Sequence, residues 1–229
     1  MWYVGGDNKN GESDKAKKSF FNSDGYFKIA EYFWFCHRLV KKEPKEKGKA
    51  PCMIVFCAFE QLQTVIEYGA RYGFVKYIPI VLIKNYSPQV LKANMRIVGA
   101  TEYALVLYRD KLPKFNNDGH MVFNWFEWKR DGKEIPKIHP TQKSVGTLKD
   151  LIRIFTDPDD VVIDPCAGSG SSLRAAYELG RNSYGFEIDR KIYQRAQNEM
   201  IQPVKEQVTL FDMFSGNEQF AGNMVMEGF

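Results

Sequence analysis

The 229 residues contain no apolar run near the roughly 20 consecutive positions that a membrane-crossing helix requires. The opening stretch, MWYVGGDNKNGESDKAKK, turns polar too early to serve as a secretory signal. Histidine is scarce, with three, and cysteine numbers four. Cys36, Cys52, Cys57 and Cys166 lack metal-ligand spacing, so no metal centre is expected. They lie in apolar or glycine-rich contexts and read as reduced core thiols of a cytoplasmic protein. No internal repeat is present. What remains, 44% hydrophobic with 18 Gly and 10 Pro, is ordinary globular composition, and a chain this long forms a core without disulfide or metal staples. Membrane, secreted, collagenous and disordered classes are excluded.

The net charge of +4 is small, but its placement is uneven. Residues 1–50 carry 11 Lys/Arg against 7 Asp/Glu, and residues 109–149 carry 9 against 5, so the rest of the chain is net acidic. Two basic stretches suit an anionic polymer partner. Ordinary solvated faces would give the same count.

Along the chain, Ile29, Phe33, Trp34, His37 and Val40 follow helical spacing from Tyr26, with Asp24 or Ser23 as the N-cap. The run CMIVFCAF (52–59) reads as a strand buried on both faces. A helix over 60–71, an apolar run at 77–83 and a strand at 102–108 follow, then irregular chain over 109–138. A helix on Leu148, Leu151, Ile152 and Phe155 leads into the turn TDPDD. Clean alternation comes next: strand 161–164, helix 171–179, strand 183–187, helix 190–200 and a strand at 207–211, with a disordered tail after Phe214. Such alternation predicts an α/β domain with a mostly parallel sheet and helices on both faces.

The turn DPCAGSG (164–170) directly follows a strand and opens a helix. Glycines there let backbone approach a ligand, and the strand-end carboxylate accepts hydrogen bonds from it. The next strand ends in Glu187, within GFEID, where an acid binds a ribose hydroxyl pair in nucleotide-type sites.

With its preceding stretch, this segment resembles the cofactor half of the amino-group DNA methyltransferases. HPTQK (139–143) is similar to the family motif before the first strand, DPCAGSG to its S-adenosylmethionine loop and GFEID to its ribose-binding acid. Cys166 stands where the family usually has Phe, and Ser144 where it has Pro. The order of parts resembles the beta-type arrangement, permuted so that the catalytic half comes first and the cofactor half last. Segment 51–108 then resembles the later catalytic-half strands, ending in the Arg96 to Glu102 stretch.

The resemblance implies one doubly wound, Rossmann-like domain. Residues 26–108 form the catalytic half, 109–136 a short target-recognition insert, 137–214 the cofactor half and 215–229 a tail. It implies S-adenosylmethionine as cofactor, held by His139, Pro140, Thr141, Gln142 and Lys143, by Asp164, Pro165, Cys166, Ala167, Gly168, Ser169 and Gly170, and by Glu187, Ile188 and Asp189. It implies methyl transfer to the amino group of a flipped base in double-stranded DNA, adenine N6 ahead of cytosine N4, as in restriction–modification systems.

The family's D-P-P-Y motif, which holds the target amino group and stacks on the flipped base, occurs nowhere in the 229 residues. The nearest string, SDGYF, offers only Asp24 and Tyr26 as catalytic candidates. Without the strand that carries this motif, the sheet would be interrupted in its middle. The expectation is that an N-terminal segment, a second polypeptide or a homodimer completes the site; the alternative reading is a non-catalytic or split-enzyme subunit.

Lys84 and Asn85 past a strand end, and Trp125, Trp128, Lys129 and Arg130 within FNWFEWKR, are the DNA-contact candidates. The aromatic cluster, which includes Phe123 and Phe126, would stack or wedge against bases or else pack the loop onto the body. Gln207, Leu210 and Phe211 resemble a sliding-clamp docking peptide; the same residues also fit a last strand.

Overall fold

The run Thr101–Tyr108 is apolar at nearly every position, as a strand with two covered faces must be. In the computed structural model, which describes residues 27–85, 89–92, 95, 97–204 and 223–228, it is the central strand of the chain's first half. The chain divides into two compact units, one built on residues up to Pro113 with Val122–Glu127, the other on Lys114–Met121 with the residues from Trp128 onward.

In the first unit, α1 (Ile29–Leu39) precedes β1 (Met53–Cys57), a 3-10 turn (Phe59–Gln61) and α2 (Leu62–Arg71). Then come β2 (Lys76–Lys84), a small antiparallel pair of β3 (Gln89–Lys92) and β4 (Ile97–Gly99), β5 (Thr101–Tyr108) and β6 (Trp125–Trp128). The main sheet runs β1-β5-β2-β6, and β5 is antiparallel to both neighbours, with Met53 and Tyr77 flanking Leu107. Met53, Val55, Cys57, Leu105 and Leu107 form one buried face, and Phe33, Cys36 and Val65 of the helices pack on it. The Phe33 ring stacks on Tyr68 and Tyr72, with centroids 6.5 and 6.4 Å away.

In the second unit, α3 (Val145–Phe155) leads to β7 (Val161–Asp164), α4 (Ser171–Tyr177), β8 (Asn182–Glu187), α5 (Arg190–Arg195) and β9 (Met224–Gly228). The sheet β7-β8-β9 is parallel throughout, pairing Asp164 with Gly185 and Glu187 with Gly228. Leu173, Tyr177, Met200, Ile201, Met224 and Met226 form its core. No helix among the described residues is long and apolar enough to cross a membrane.

Several expectations need correction. The first helix begins at Ile29 with Lys28 as an N-cap that makes no side-chain hydrogen bond; Ser23 and Asp24 lie outside the described residues. The expected disordered tail holds β9, because Met224 and Met226 alternate inward onto the core while Val225 and Glu227 face out. The candidate strand at 207–211, with the clamp-like Gln207, Leu210 and Phe211, lies outside the described residues, as do Tyr26 and Arg96. The stretch 109–138, expected to be irregular, contains β6 at the sheet edge. Helix 190–200 is α-helical only to Arg195 and continues as a π-helical turn, Ala196–Ile201. In the first unit β5 returns antiparallel between β1 and β2, so the chain combines antiparallel pairing there with the parallel β7-β8-β9 sheet of the second unit.

Gly185 marks the tightest packing of strand on helix. A Cβ there would lie 2.7 Å from Leu173 Cδ1 and 2.9 Å from Ala167 Cβ, both buried. Gly185→Ala should destabilise the protein by about 1–3 kcal/mol through overpacking, read as a lower denaturation midpoint. An unchanged midpoint would show that α4 yields freely.

Candidate functional site

Parallel strands β7 and β8 bring their carboxyl ends, Asp164 and Glu187, to the same edge of the second unit's sheet. Asp164 is held by its own loop: Oδ1 accepts from the Cys166 N–H at 3.0 Å, and Oδ2 accepts from the Ser172 hydroxyl. The loop then turns back on Gly168 (φ +53°) and Gly170 (φ +76°), conformations that L side chains rarely adopt. Gly170 sits against Ile201, with 3.4 Å left for a Cβ, whereas above Gly168 nothing lies within 4 Å. One glycine serves packing, the other leaves open backbone.

Glu187 ties this loop to the neighbouring strand. Its Oε2 accepts from the Gly168 N–H at 2.9 Å and its Oε1 from the Asp189 N–H at 2.7 Å. Each oxygen retains a second lone pair, so the carboxylate is fixed yet still able to accept from a ligand. Asp189 caps α5 by accepting from Lys191 and Ile192, at 2.8 and 3.1 Å. Ile188 between them is 71% exposed, a large apolar side chain left facing solvent. Of the remaining loop residues, Pro165 is half-buried, while Ala167 and Ser169 are buried; the Ala167 N–H donates to the Phe186 carbonyl at 2.9 Å.

The His139–Lys143 turn is braced internally. Gln142 accepts from the Ile138 N–H at 3.0 Å and donates to the Pro136 carbonyl at 2.9 Å. Pro140 and Thr141 are exposed. The Thr141 N–H donates to His139 Nδ1 at 3.2 Å, so a neutral ring carries its proton on Nε2. Burial first, then Lys137, holds the His139 pKa below the usual imidazole range, while Asp189 opposes the shift. That Asp189 acts on His139 places the turn within electrostatic reach of the second strand's tip. Ser144 caps α3, accepting from the Thr147 N–H at 3.4 Å and donating to Asp131 at 3.0 Å.

Ser172, Asp131 and Arg195, which hold these segments, were not among the sequence candidates, since none belongs to a motif. Among the DNA-contact candidates, Asn85 is exposed, and Lys84 pairs with Glu102. Trp125 is 47% exposed and stacks on Phe123, centroids 5.9 Å apart. Trp128 is buried, with the Lys143 ammonium 5.1 Å over its ring, so it packs rather than projects. Lys129 and Arg130 are exposed.

Cys166 corrects the reading of four core thiols: it is on the exposed loop, whereas Cys36 and Cys57 are buried and Cys52 half-buried. Desolvation by the loop pushes its thiol up to about 11, and the Asp164 and Glu187 carboxylates act in the same direction. Desolvation pushes Cys57 up to about 11 and Cys52 up to about 12. A raised pKa depletes thiolate at neutral pH. Alkylation of Cys166 by iodoacetamide should be slow at pH 7 and accelerate about tenfold per pH unit up to pH 10, followed by mass spectrometry. A plateau near pH 8.5 would mean that neither desolvation nor the carboxylates raise it.

Comparison with known proteins gives this geometry a family. A family model described as DNA methylase matches residues 8–198. YubD of Escherichia coli (strain K12), named as a methylase, is 28% identical over 164 residues, 72% of this chain and 65% of its own. The E. coli DNA adenine methyltransferase YhdJ is 28% identical over 133 residues, 56% of this chain and 44% of its own. The chain thus spans less than two thirds of the length of these curated relatives. Among solved structures, the M1.HpyAVI–SAM complex is similar with a TM-score of 0.65 and 29% identity, over 77% of this chain and 84% of that one. The match covers most of the residues from the first helix to the π-helical turn, and the chain belongs to the DNA methylase family, the N6/N4 amino-group methyltransferases.

Proposed function

We propose that the second unit binds S-adenosylmethionine and that the chain serves methylation of the amino group of a flipped base in double-stranded DNA, adenine N6 ahead of cytosine N4. The observation that carries this reading is the Glu187 carboxylate, fixed between the Gly168 and Asp189 N–H groups with acceptor capacity left over. The site fits the cofactor: open backbone above Gly168, two anchored carboxylates, a neutral His139 and the exposed apolar Ile188. Asp164, Gly168 and Gly170 would line the methionine end, Glu187 the ribose hydroxyls, and Ile188 and the His139–Lys143 turn the remaining walls. When bound, S-adenosylmethionine supplies an activated methyl group for in-line transfer to an amino nitrogen. The adenine preference is supported by the name of the relative YhdJ.

Contacts to DNA are assigned to the exposed Phe123–Trp125 stack, which is suited to an unstacked base, and to Lys129 and Arg130 for phosphate. Glu187→Gln should weaken binding of S-adenosylhomocysteine by about tenfold or more, the worth of one charge-assisted hydrogen bond, measured by titration calorimetry. Unchanged affinity would remove the cofactor assignment.

A second reading, that a further polypeptide segment supplies the catalytic step, is supported by the absence of D-P-P-Y from the 229 residues. Because positioning of the amino nitrogen supplies most of this chemistry, residues 1–229 should bind cofactor yet transfer no methyl group until a segment ending in such a motif is added. Tritium transfer to unmethylated genomic DNA measures this, and turnover by the 229 residues alone would refute it.

A further inference from the structure

One helix touches every segment of the candidate cofactor site within the second unit. Asp189, whose N–H is held by Glu187, caps its start. Ala196 and Ile201, in its π-helical turn, close on Gly170 of the glycine loop. Between them, Arg195 reaches the third segment: Nη1 donates to the Ile138 carbonyl at 2.9 Å and Nη2 to the Lys137 carbonyl at 3.5 Å. Those carbonyls immediately precede His139.

The guanidinium is aimed from its other side. Glu199, one turn further on, accepts from Nε at 2.7 Å and from Nη2 at 2.9 Å. This two-bond clasp pre-orients a planar donor that a lysine, as a point charge, reproduces only in part. The Ile138 and Lys137 carbonyls lie outside any helix or strand, and both accept from Arg195.

We propose that Arg195, held by Glu199, is a positioning residue that locks the 137–143 turn against the helix packed on the glycine loop and so sets cofactor affinity. The affinity part rests on the cofactor reading above; the lock itself does not. The hydrogen bonds of the Arg195 side chain go to those backbone carbonyls and, on its own helix, to Glu199.

Two measurements on the full chain test this. Hydrogen exchange of the unliganded protein reads the lock: in Arg195→Met the amides of Ile138, Thr141 and Gln142 should exchange about tenfold faster, while β8 is unchanged. Calorimetry with S-adenosylhomocysteine reads the consequence: Arg195→Met should weaken binding by about tenfold, and Arg195→Lys should restore much of it. Glu199→Gln, which leaves Arg195 in place, should shift both readouts in the same direction but less. Unchanged exchange in Arg195→Met overturns the lock. Faster exchange with unchanged affinity overturns its link to the cofactor. Equal loss in the lysine and methionine variants, with exchange raised across β8, overturns positioning in favour of general destabilisation. If the wild-type chain fails to bind, the cofactor reading falls and takes the affinity claim with it, while exchange still decides the lock.

Discussion

The second unit is organised around one carboxylate. Glu187 ends β8 and accepts from Gly168 on one side and Asp189 on the other, so three segments share a single anchor. Gly168 can present its N–H only because the loop is left-handed there, which glycine tolerates at little steric cost. Asp189, fixed by the same carboxylate, caps the helix that carries Arg195. Loss of the anchor would therefore release the loop, the helix start and the turn behind it together.

Parallel pairing makes the anchor possible. With β7 and β8 aligned, Asp164 and Glu187 finish at one edge, and chain reversals after both strands fall on the same side. Close packing at Gly185 keeps α4 against β8, and that packing brings the loop within reach of Glu187. The first unit obeys a different constraint. Its β5 is buried on both faces between β1 and β2, so its continuous apolar run is used to build a core, while Trp125 on the edge strand β6 stays exposed.

Much of this was legible in order of residues alone. The loop, the acid at the second strand and the HPTQK turn depend on local chemistry: glycines where φ is positive, an acid at a strand tip, a braced turn. The strand β9 was missed because MVMEG is too short to show its alternation against a polar neighbourhood. The sequence groups Trp128 with Trp125, although residues three apart on a strand point to opposite faces, one exposed and one buried. Cys166 looked like a core thiol because glycine-rich context says nothing about which side of a loop faces solvent.

By itself, the sequence determined the family, the alternation of strands and helices in the second unit and the identity of the carboxylates that line its edge, because each rests on spacing between near neighbours. Only the tertiary structure decided which aromatics project, that β5 returns antiparallel, that Ser144 donates to Asp131, and that Arg195 reaches the backbone before His139. Those contacts join residues 13 to 57 positions apart, as between Ser144 and Asp131 or Arg195 and Ile138. No local pattern specifies such pairs, since what brings them together is the packing of whole elements.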